Sequence, residues 1–298
     1  MPLRNETFQT PAEVFLDIRL GAGEIRLETG DLRETSVELS PLRGNDAGAA
    51  AVEEARVEVR DRGRHEIVVD VAGSRGGIFG RDAEVRVGVR APHGASVKCK
   101  TGSATVEGRG RFGEIQIETG SGDVEFEEVA SNAKVSAASG NVQISRVGGD
   151  ARLNTASGDL QVTTIAGDAK LNSASGDIRL GDVGGRLEAN SASGGVEVGE
   201  TRSEVSVSTA SGDQRIGSVA EGSVSLKSAS GDLRVGIRQG SRLWVDARSR
   251  AGEVSSELEL SDVASEGEGP FVELRANTMS GDVAIVRAQS GEPAKRSS

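Results

Sequence analysis

The chain has 298 residues and a formal net charge of -11, with 41 glycines, six prolines and a single cysteine. Only six Phe and one Trp supply aromatic surface, so one large globular core would be thin. The acidic balance counts against a nucleic-acid partner, which needs clustered Lys and Arg, and one cysteine excludes an internal disulfide framework.

The start of the chain and its hydropathy predict where the protein acts. Residues 1–20 lack a basic segment followed by an apolar one, so we predict no signal peptide. No apolar run approaches the ~20 residues that are needed to span a bilayer. We therefore expect a cytoplasmic protein that does not bind a membrane.

The N-terminal region, residues 1–95, alternates apolar and polar residues in short bursts separated by Gly, Pro, Asn and Asp. Such alternation is typical of half-buried strands, and their irregular spacing predicts an antiparallel strand region that covers the first coil of the fold described below. Two loops are predicted, at 43–50 and 73–81. The second contains Ile78 and Phe79, which either pack back on the sheet or form an apolar contact loop for a partner.

A nine-residue repeat fills residues 96–238. Apolar side chains occupy its fifth and seventh positions. In the clearest stretch the fifth position reads Leu160, Ala169, Ile178, Leu187, Val196 and Val205, and the seventh reads Val162, Leu171, Leu180, Ala189, Val198 and Val207. Self-similarity at a fixed period is typical of a solenoid, in which each coil buries its apolar side against its neighbours.

The first position of the repeat alternates between small and large residues, such as Ala156 and Ile165, so we predict 18-residue coils of two strand-turn units. The predicted fold is therefore an all-β parallel β-solenoid of the β-helix or β-roll type. Apolar positions recur every nine residues and not every six, which favours a flattened two-stranded coil over a triangular one. One residue is inserted into the repeat at Glu221–Gly222.

Every second turn of the repeat reads Ser-Gly-Asp or a near copy, as in Ser157-Gly158-Asp159. We expect Gly to supply the positive φ of a tight corner, and Ser and Asp to hydrogen-bond the turn backbone. Stacked coils then place the acidic residues in a ladder along one edge, formed by Asp123, Asp159, Asp177, Asp213 and Asp232.

The acidic ladder raises a calcium hypothesis, because carboxylates ~5 Å apart repel and a bound cation would remove that repulsion. Calcium requires six or more oxygen ligands, however, and Asn141 and Gly195 interrupt the ladder. A structural role in the turns is therefore favoured over a metal site.

Several other residues invite a functional interpretation. Asn154, Asn172 and Asn190 recur every 18 residues, which predicts a stacked amide ladder. Cys99 falls in the seventh position of the repeat, which predicts a buried structural thiol. The only histidines, His65 and His93, have no visible nucleophile beside them, so we predict neither catalysis nor a cofactor.

Residues 239–288 contain longer alternating segments, which predict a C-terminal β cap over the last coil. We expect Trp244 to be a buried plug in that cap. Residues 289–298 are polar and predict a disordered tail.

Three segments of the chain resemble a known bacterial family. They are the entry to the repeats at 89–95, the run at 236–254 that includes Leu243-Trp244-Val245-Asp246, and the ending Met279-Ser280-Gly281-Asp282. The family is the β-strand-repeat family of unknown function labelled "putative adhesin", particularly its actinobacterial members. The resemblance covers nearly the whole chain and implies adhesion by its name, but it brings no ligand or catalytic residue.

The predicted function is a non-enzymatic β-solenoid scaffold or protein-binding module whose protein partner is unknown. One alternative is a self-assembling structural protein that stacks end to end, which the predicted cap disfavours. The other is an adhesin-like surface protein, which the predicted lack of an export signal disfavours.

Overall fold

The computed structural model describes residues 3–10, 13–42, 46–61, 65–71, 83–258 and 269–288. The predicted contact residues Ile78 and Phe79 and the predicted tail at 289–298 lie outside the described residues.

Two long sheets form the described fold, one of 14 strands and one of 13, here named sheet A and sheet B. Each coil contributes one strand to each sheet, and the two sheets enclose a continuous apolar core. The all-β solenoid prediction is confirmed. The helix found in the described part of the chain, α1, has nine residues, and no helix there is long and apolar enough to cross a bilayer.

The repeat region forms eight coils of parallel strands that occupy alternate sheets. Their bounds are β8 (Ser96–Thr101), β9 (Thr105–Phe112), β10 (Ile115–Thr119), β11 (Val124–Val129), β12 (Ala133–Ala137), β13 (Val142–Val147), β14 (Ala151–Thr155), β15 (Leu160–Ile165), β16 (Ala169–Ser173), β17 (Ile178–Val183), β18 (Leu187–Ser191), β19 (Val196–Thr201), β20 (Val205–Ser211), β21 (Gln214–Val219), β22 (Gly222–Ser230) and β23 (Leu233–Ile237).

The register of these strands follows the predicted 18-residue coil. Ala151 pairs with Ala169, and Leu153 pairs with Leu171. Between β20 and β22 the offset becomes 19 residues, because one residue has been inserted before Val224. The fifth and seventh positions face inward and are buried. The polar exception, Gln214, donates to the Thr209 hydroxyl at 2.8 Å and to the Lys227 carbonyl at 2.7 Å.

The N-terminal region has mixed pairing. Its elements are β1 (Arg4–Gln9), β2 (Val14–Leu20), β3 (Ala22–Gly30), β4 (Glu34–Pro41), α1 (Asp46–Glu54), β5 (Arg56–Asp61), β6 (His65–Asp70) and β7 (Glu84–Pro92). The predicted antiparallel pairing occurs at β1–β4, β4–β7 and β5–β6. In contrast, β2 and β3 pair parallel with β8 and β9 on one side and with β6 and β7 on the other, so they extend the solenoid.

The predicted loop at 43–50 contains the first residues of α1. Its run of alanines after Asp46 favours a helix, with the carboxylate in the first turn. The helix buries Ala51 and Val52 in the core and contacts β4 and β7. It therefore covers the N-terminal end of the core.

The C-terminal region continues both sheets with parallel strands. These are β24 (Arg242–Ala251), β25 (Val254–Ser256), β26 (Phe271–Ser280) and β27 (Val283–Arg287). The later strands, β26 and β27, stack directly on β22 and β23, and the earlier pair forms the terminal coil outside them. The prediction of Trp244 as a buried plug is wrong, because its side chain lies on the outer face of the terminal coil and is 45% exposed.

Candidate functional site

The acidic ladder connects successive coils through side-chain acceptors. Asp123 Oδ1 accepts the backbone N–H of Asn141 at 2.8 Å, and Asp159 Oδ1 accepts that of Asp177 at 3.0 Å. Asp213 and Asp232 make the same bond to the next coil. Each carboxylate therefore satisfies a turn amide, which is the structural role favoured from the sequence.

The calcium hypothesis stays a hypothesis. Arg179 contacts the Oδ2 atoms of Asp159 and Asp177 at 3.3 and 2.6 Å, so one guanidinium offsets part of the carboxylate repulsion. Within the described ranges, no group of three or more His, Cys, Asp or Glu side chains is arranged to hold a metal ion.

A second ladder runs along the other turns and was missed in the sequence. Asn132 Oδ1 accepts the amide of Asp150 at 2.9 Å, Asp150 accepts that of Asp168 at 3.0 Å, and Asp168 accepts that of Arg186 at 2.8 Å. These residues occupy the fourth position of the repeat, as the acidic ladder does. The signal was present as Asn or Asp recurring every 18 residues.

The positive φ predicted for the glycines of the Ser-Gly-Asp turns occurs in the last two of these turns, at Gly231 and Gly281, but not in the earlier coils. Gly158 and Gly176 do not have positive φ. A Cβ built on Gly176 would lie 2.0 Å from the carbonyl oxygen of Gly158, and one on Gly158 would lie 2.1 Å from that of Gly140. The turns need glycine because consecutive coils approach too closely for any side chain.

Gly195 is the gap in the acidic ladder, and we expect Gly195→Asn to stabilise the protein. A Cβ at this position meets no atom closer than 3.5 Å, and Asn141 fills the equivalent position with its amide oxygen on the next coil. One added hydrogen bond and a less flexible unfolded chain should together raise the free energy of unfolding by about 1 kcal/mol. Thermal unfolding of this variant beside Gly195→Ala separates the two effects. Equal melting temperatures of these variants would contradict the role of the side-chain acceptor.

The amide ladder and the buried thiol are found where they were predicted. Asn172 donates to Asn154 at 2.8 Å and Asn190 donates to Asn172 at 3.0 Å. Cys99 is fully buried, and desolvation raises the pKa of its thiol to about 12. A thiol with so little thiolate is a poor nucleophile and a poor metal ligand.

A shallow polar groove of about 580 Å³ lies along sheet A between its middle strands and the turn that contains His93. Its charged groups are partly paired: Arg111 lies 3.7 Å from Glu128, and Glu127 accepts the amide of Gly110 at 2.6 Å. His93 is exposed, with Nδ1 3.3 Å from the Thr29 hydroxyl. The groove offers balanced charges and hydroxyl groups to a polar segment.

The outer face of the terminal coils of sheet B has a different character. We call the outward side chains of β24 and β26 the terminal face. It exposes Trp244 and Phe271, which is 47% exposed. The guanidinium of Arg242 lies 5.5 Å from the Phe271 ring centre, and that of Arg275 lies 5.7 Å from the Trp244 ring. Both distances fit cation–π contacts.

The terminal face is also rich in cations for a chain with net charge -11. Four arginines project from it beside two carboxylates: Arg242, Arg248, Arg250, Arg275, Asp246 and Glu273. The carboxylates are held by neighbouring arginines, with Arg248 2.9 Å from Asp246 and Arg275 2.6 Å from Glu273. This arrangement places two aromatic rings and four guanidinium groups on one exposed surface, and Arg242 is engaged with the Phe271 ring and the Gly269 carbonyl.

The two stacked sheets, built from two-stranded coils with ladders at their corners, define a β-solenoid repeat protein. The chain matches the model of the Toastrack DUF4097 family over residues 15–286, and it belongs to that family. The resemblance to a "putative adhesin" repeat family of unknown function is thereby confirmed, while its actinobacterial type stays a prediction.

No curated protein sequence matches the chain. A similar solved structure is described as a putative lipid binding protein from Parabacteroides distasonis ATCC 8503, with 13% identity, a TM-score of 0.42, and coverage of 97% of this chain and 96% of that chain. A putative adhesin from the same organism has 13% identity, a TM-score of 0.40, and coverage of 95% and 97%. A putative cell adhesion protein from Clostridium sporogenes ATCC 15579 has 9% identity, a TM-score of 0.31, and coverage of 96% and 100%.

Proposed function

We propose that this protein is a non-enzymatic binding module of the cytoplasm that holds a protein partner on its terminal face. The observation that carries the proposal is the pair of exposed aromatic rings, Trp244 and Phe271, each stacked with an arginine. Trp and Arg are enriched among the residues that dominate protein–protein binding energy, because they combine a large apolar surface with directed polar contacts.

The chemistry of the face also indicates the kind of partner. Four arginines beside two carboxylates favour a partner surface that carries acidic side chains around an apolar centre. The rigid sheet beneath the face holds these side chains in place, since β26 is paired on both sides, with β22 and β24. A preorganised face loses little conformational entropy when it binds.

The test is capture of the tagged protein from its native cytoplasm after gentle crosslinking, with identification of what is recovered. We expect one stoichiometric protein partner with the unmodified chain and its loss with Trp244→Ser combined with Phe271→Ser. Gln161→Ser, on the exposed face of sheet A, is the matched control and should recover the partner unchanged. Equal recovery by both variants would overturn the terminal face as the binding site, and no partner with any of them would overturn the binding module.

The same experiment separates the adhesin-like alternative. Cell fractionation before capture is expected to place the chain in the cytoplasm. Recovery from the cell surface instead would support adhesion and contradict the proposed location.

A further inference from the structure

The terminal strand of sheet B presents an unpaired backbone edge. Arg242 N–H donates to the Pro270 carbonyl at 2.8 Å, so the even residues of β24 point their amide groups toward β26. Alternate residues of a parallel strand use opposite edges, so the N–H and C=O groups of Leu243, Val245 and Ala247 face outward. Within the described residues, no strand pairs with this edge.

The apolar core also reaches this end, where no described strand stacks outside the terminal coil. Val245 and Val254 face inward on the terminal coil but are 38% and 45% exposed. Their neighbours one coil inside, Leu274 and Val283, are fully buried. A ten-residue edge strand above an open core is a site for pairing with another chain.

The opposite end of the solenoid is protected. Helix α1 buries Ala51 and Val52 against the core there. The outermost strands there, β1 and β5, have six residues each against ten in β24, and short edge strands disfavour further pairing. A filament forms when the C-terminal end of each copy stacks on the N-terminal end of the next, so both ends must be open. A chain with one closed end cannot stack in this way. The open end can meet the open end of a second copy, which is a closed two-fold contact.

We propose that two copies form a dimer in which their β24 strands pair antiparallel, with Ala247 opposite Ala247 of the second copy. A two-fold axis normal to sheet B then continues this sheet through both copies. This inference uses the backbone edge of β24 and, for the register, charged side chains of the terminal face. It does not require the terminal face to bind another protein.

Charge complementarity selects this register. Asp246 lies opposite Arg248 of the second copy, and Trp244 lies opposite Arg250. A shift of one strand by two residues keeps the same side chains on the outer face. In one direction this shift puts Asp246 opposite Asp246 of the second copy, and in the other it puts Arg248 opposite Arg248. Like charges directly opposite destabilise an antiparallel pair, so both neighbouring registers are disfavoured.

The first test is a crosslink that depends on the register. At the two-fold axis the Ala247 Cα atoms would be ~5.5 Å apart, which suits a disulfide. The Val245 Cα atoms would be ~13 Å apart along the strand, which does not. We expect Ala247→Cys to form a covalent dimer under mild oxidation and Val245→Cys to stay uncrosslinked. The native thiol Cys99 is fully buried and gives little background. Equal crosslinking at both positions, or none at either, would overturn the register.

The second test uses opposite charge changes on separate chains, measured by sedimentation at several concentrations. Asp246→Arg alone and Arg248→Asp alone should each raise the dimer dissociation constant by about tenfold. An equimolar mixture of the two variants should recover the dissociation constant of the unmodified chain, because in the mixed dimer each altered side chain faces a side chain of opposite charge. An unmodified chain that stays monomeric, one whose mass grows beyond the dimer, or a mixture no tighter than its components would overturn the proposal. Matching circular dichroism spectra establish that both variants fold.

Discussion

Leu171→Asp is expected to unfold the central coils of the solenoid. Leu171 is fully buried in the inward column of sheet B, with Leu153 opposite it on one side and Ala189 on the other. Truncating such a side chain costs about 2–5 kcal/mol. A carboxylate left there without a partner adds several kcal/mol. We expect a total loss above about 4 kcal/mol, a large part of the 5–15 kcal/mol that ordinarily stabilises a domain.

Urea unfolding followed by circular dichroism measures this loss. Gln161→Asp introduces the same carboxylate on the exposed side of β15, opposite Arg179, and should change stability by less than about 1 kcal/mol. Burial raises the pKa of an introduced carboxyl group in the folded state. The folded state then keeps its proton longer than the unfolded chain, so the Leu171→Asp defect should shrink as the pH falls. A defect no larger than that of Gln161→Asp would contradict the placement of Leu171 in the core.

The repeat determined most of the architecture before the structure was known. The 18-residue spacing of Ala151 and Ala169 is the pairing register itself, and the insertion before Val224 shifts it by one residue. A periodic sequence predicts its own contacts because each coil meets mainly its neighbours. The same reasoning predicts the acidic ladder, and it extends to the second ladder when the fourth position is compared in every coil.

The order of the coils at both ends could not be predicted in this way. β6 and β7 stack outside β2 and β3, and β24 and β25 stack outside β26 and β27, so sequence order and spatial order differ there. Outside the strict repeat, the alternation of apolar and polar residues predicts which side chains of a strand face inward, but it does not predict which strand lies beside it. Any strand of suitable length and pattern can occupy either place, and the connections decide between them.

The position of Trp244 differs from the predicted buried plug in the C-terminal cap. In β24, however, Leu243, Val245 and Ala247 occupy the inward phase, which places Trp244 among the outward residues with Arg242 and Asp246. The alternation of β24 itself predicts that the Trp244 ring is exposed. The position of a residue in the alternation is therefore better evidence for its burial here than the residue type.

Gly176→Ala is the second substitution with a large expected effect. Its Cβ would lie 2.0 Å from the carbonyl oxygen and 2.5 Å from the carbonyl carbon of Gly158. Both atoms belong to the backbone of the preceding coil, so no side-chain rotation can relieve the overlap. Either the coils separate or the turn distorts, and both weaken the hydrogen bond from Ser175 N–H to the Ala156 carbonyl. We expect a loss of at least about 2 kcal/mol.

Two control substitutions separate close approach from backbone conformation as the reason for glycine. Gly195→Ala, in the same kind of turn but with no atom closer than 3.5 Å to the new Cβ, should be nearly neutral or slightly stabilising. Gly176→Asn should be as damaging as Gly176→Ala, because its Cβ meets the same carbonyl. If the turn instead required a left-handed conformation, Asn would be tolerated better than Ala, since Asn visits that region more readily. Thermal unfolding of the three variants therefore decides whether the contact between coils or the φ angle fixes glycine in these turns.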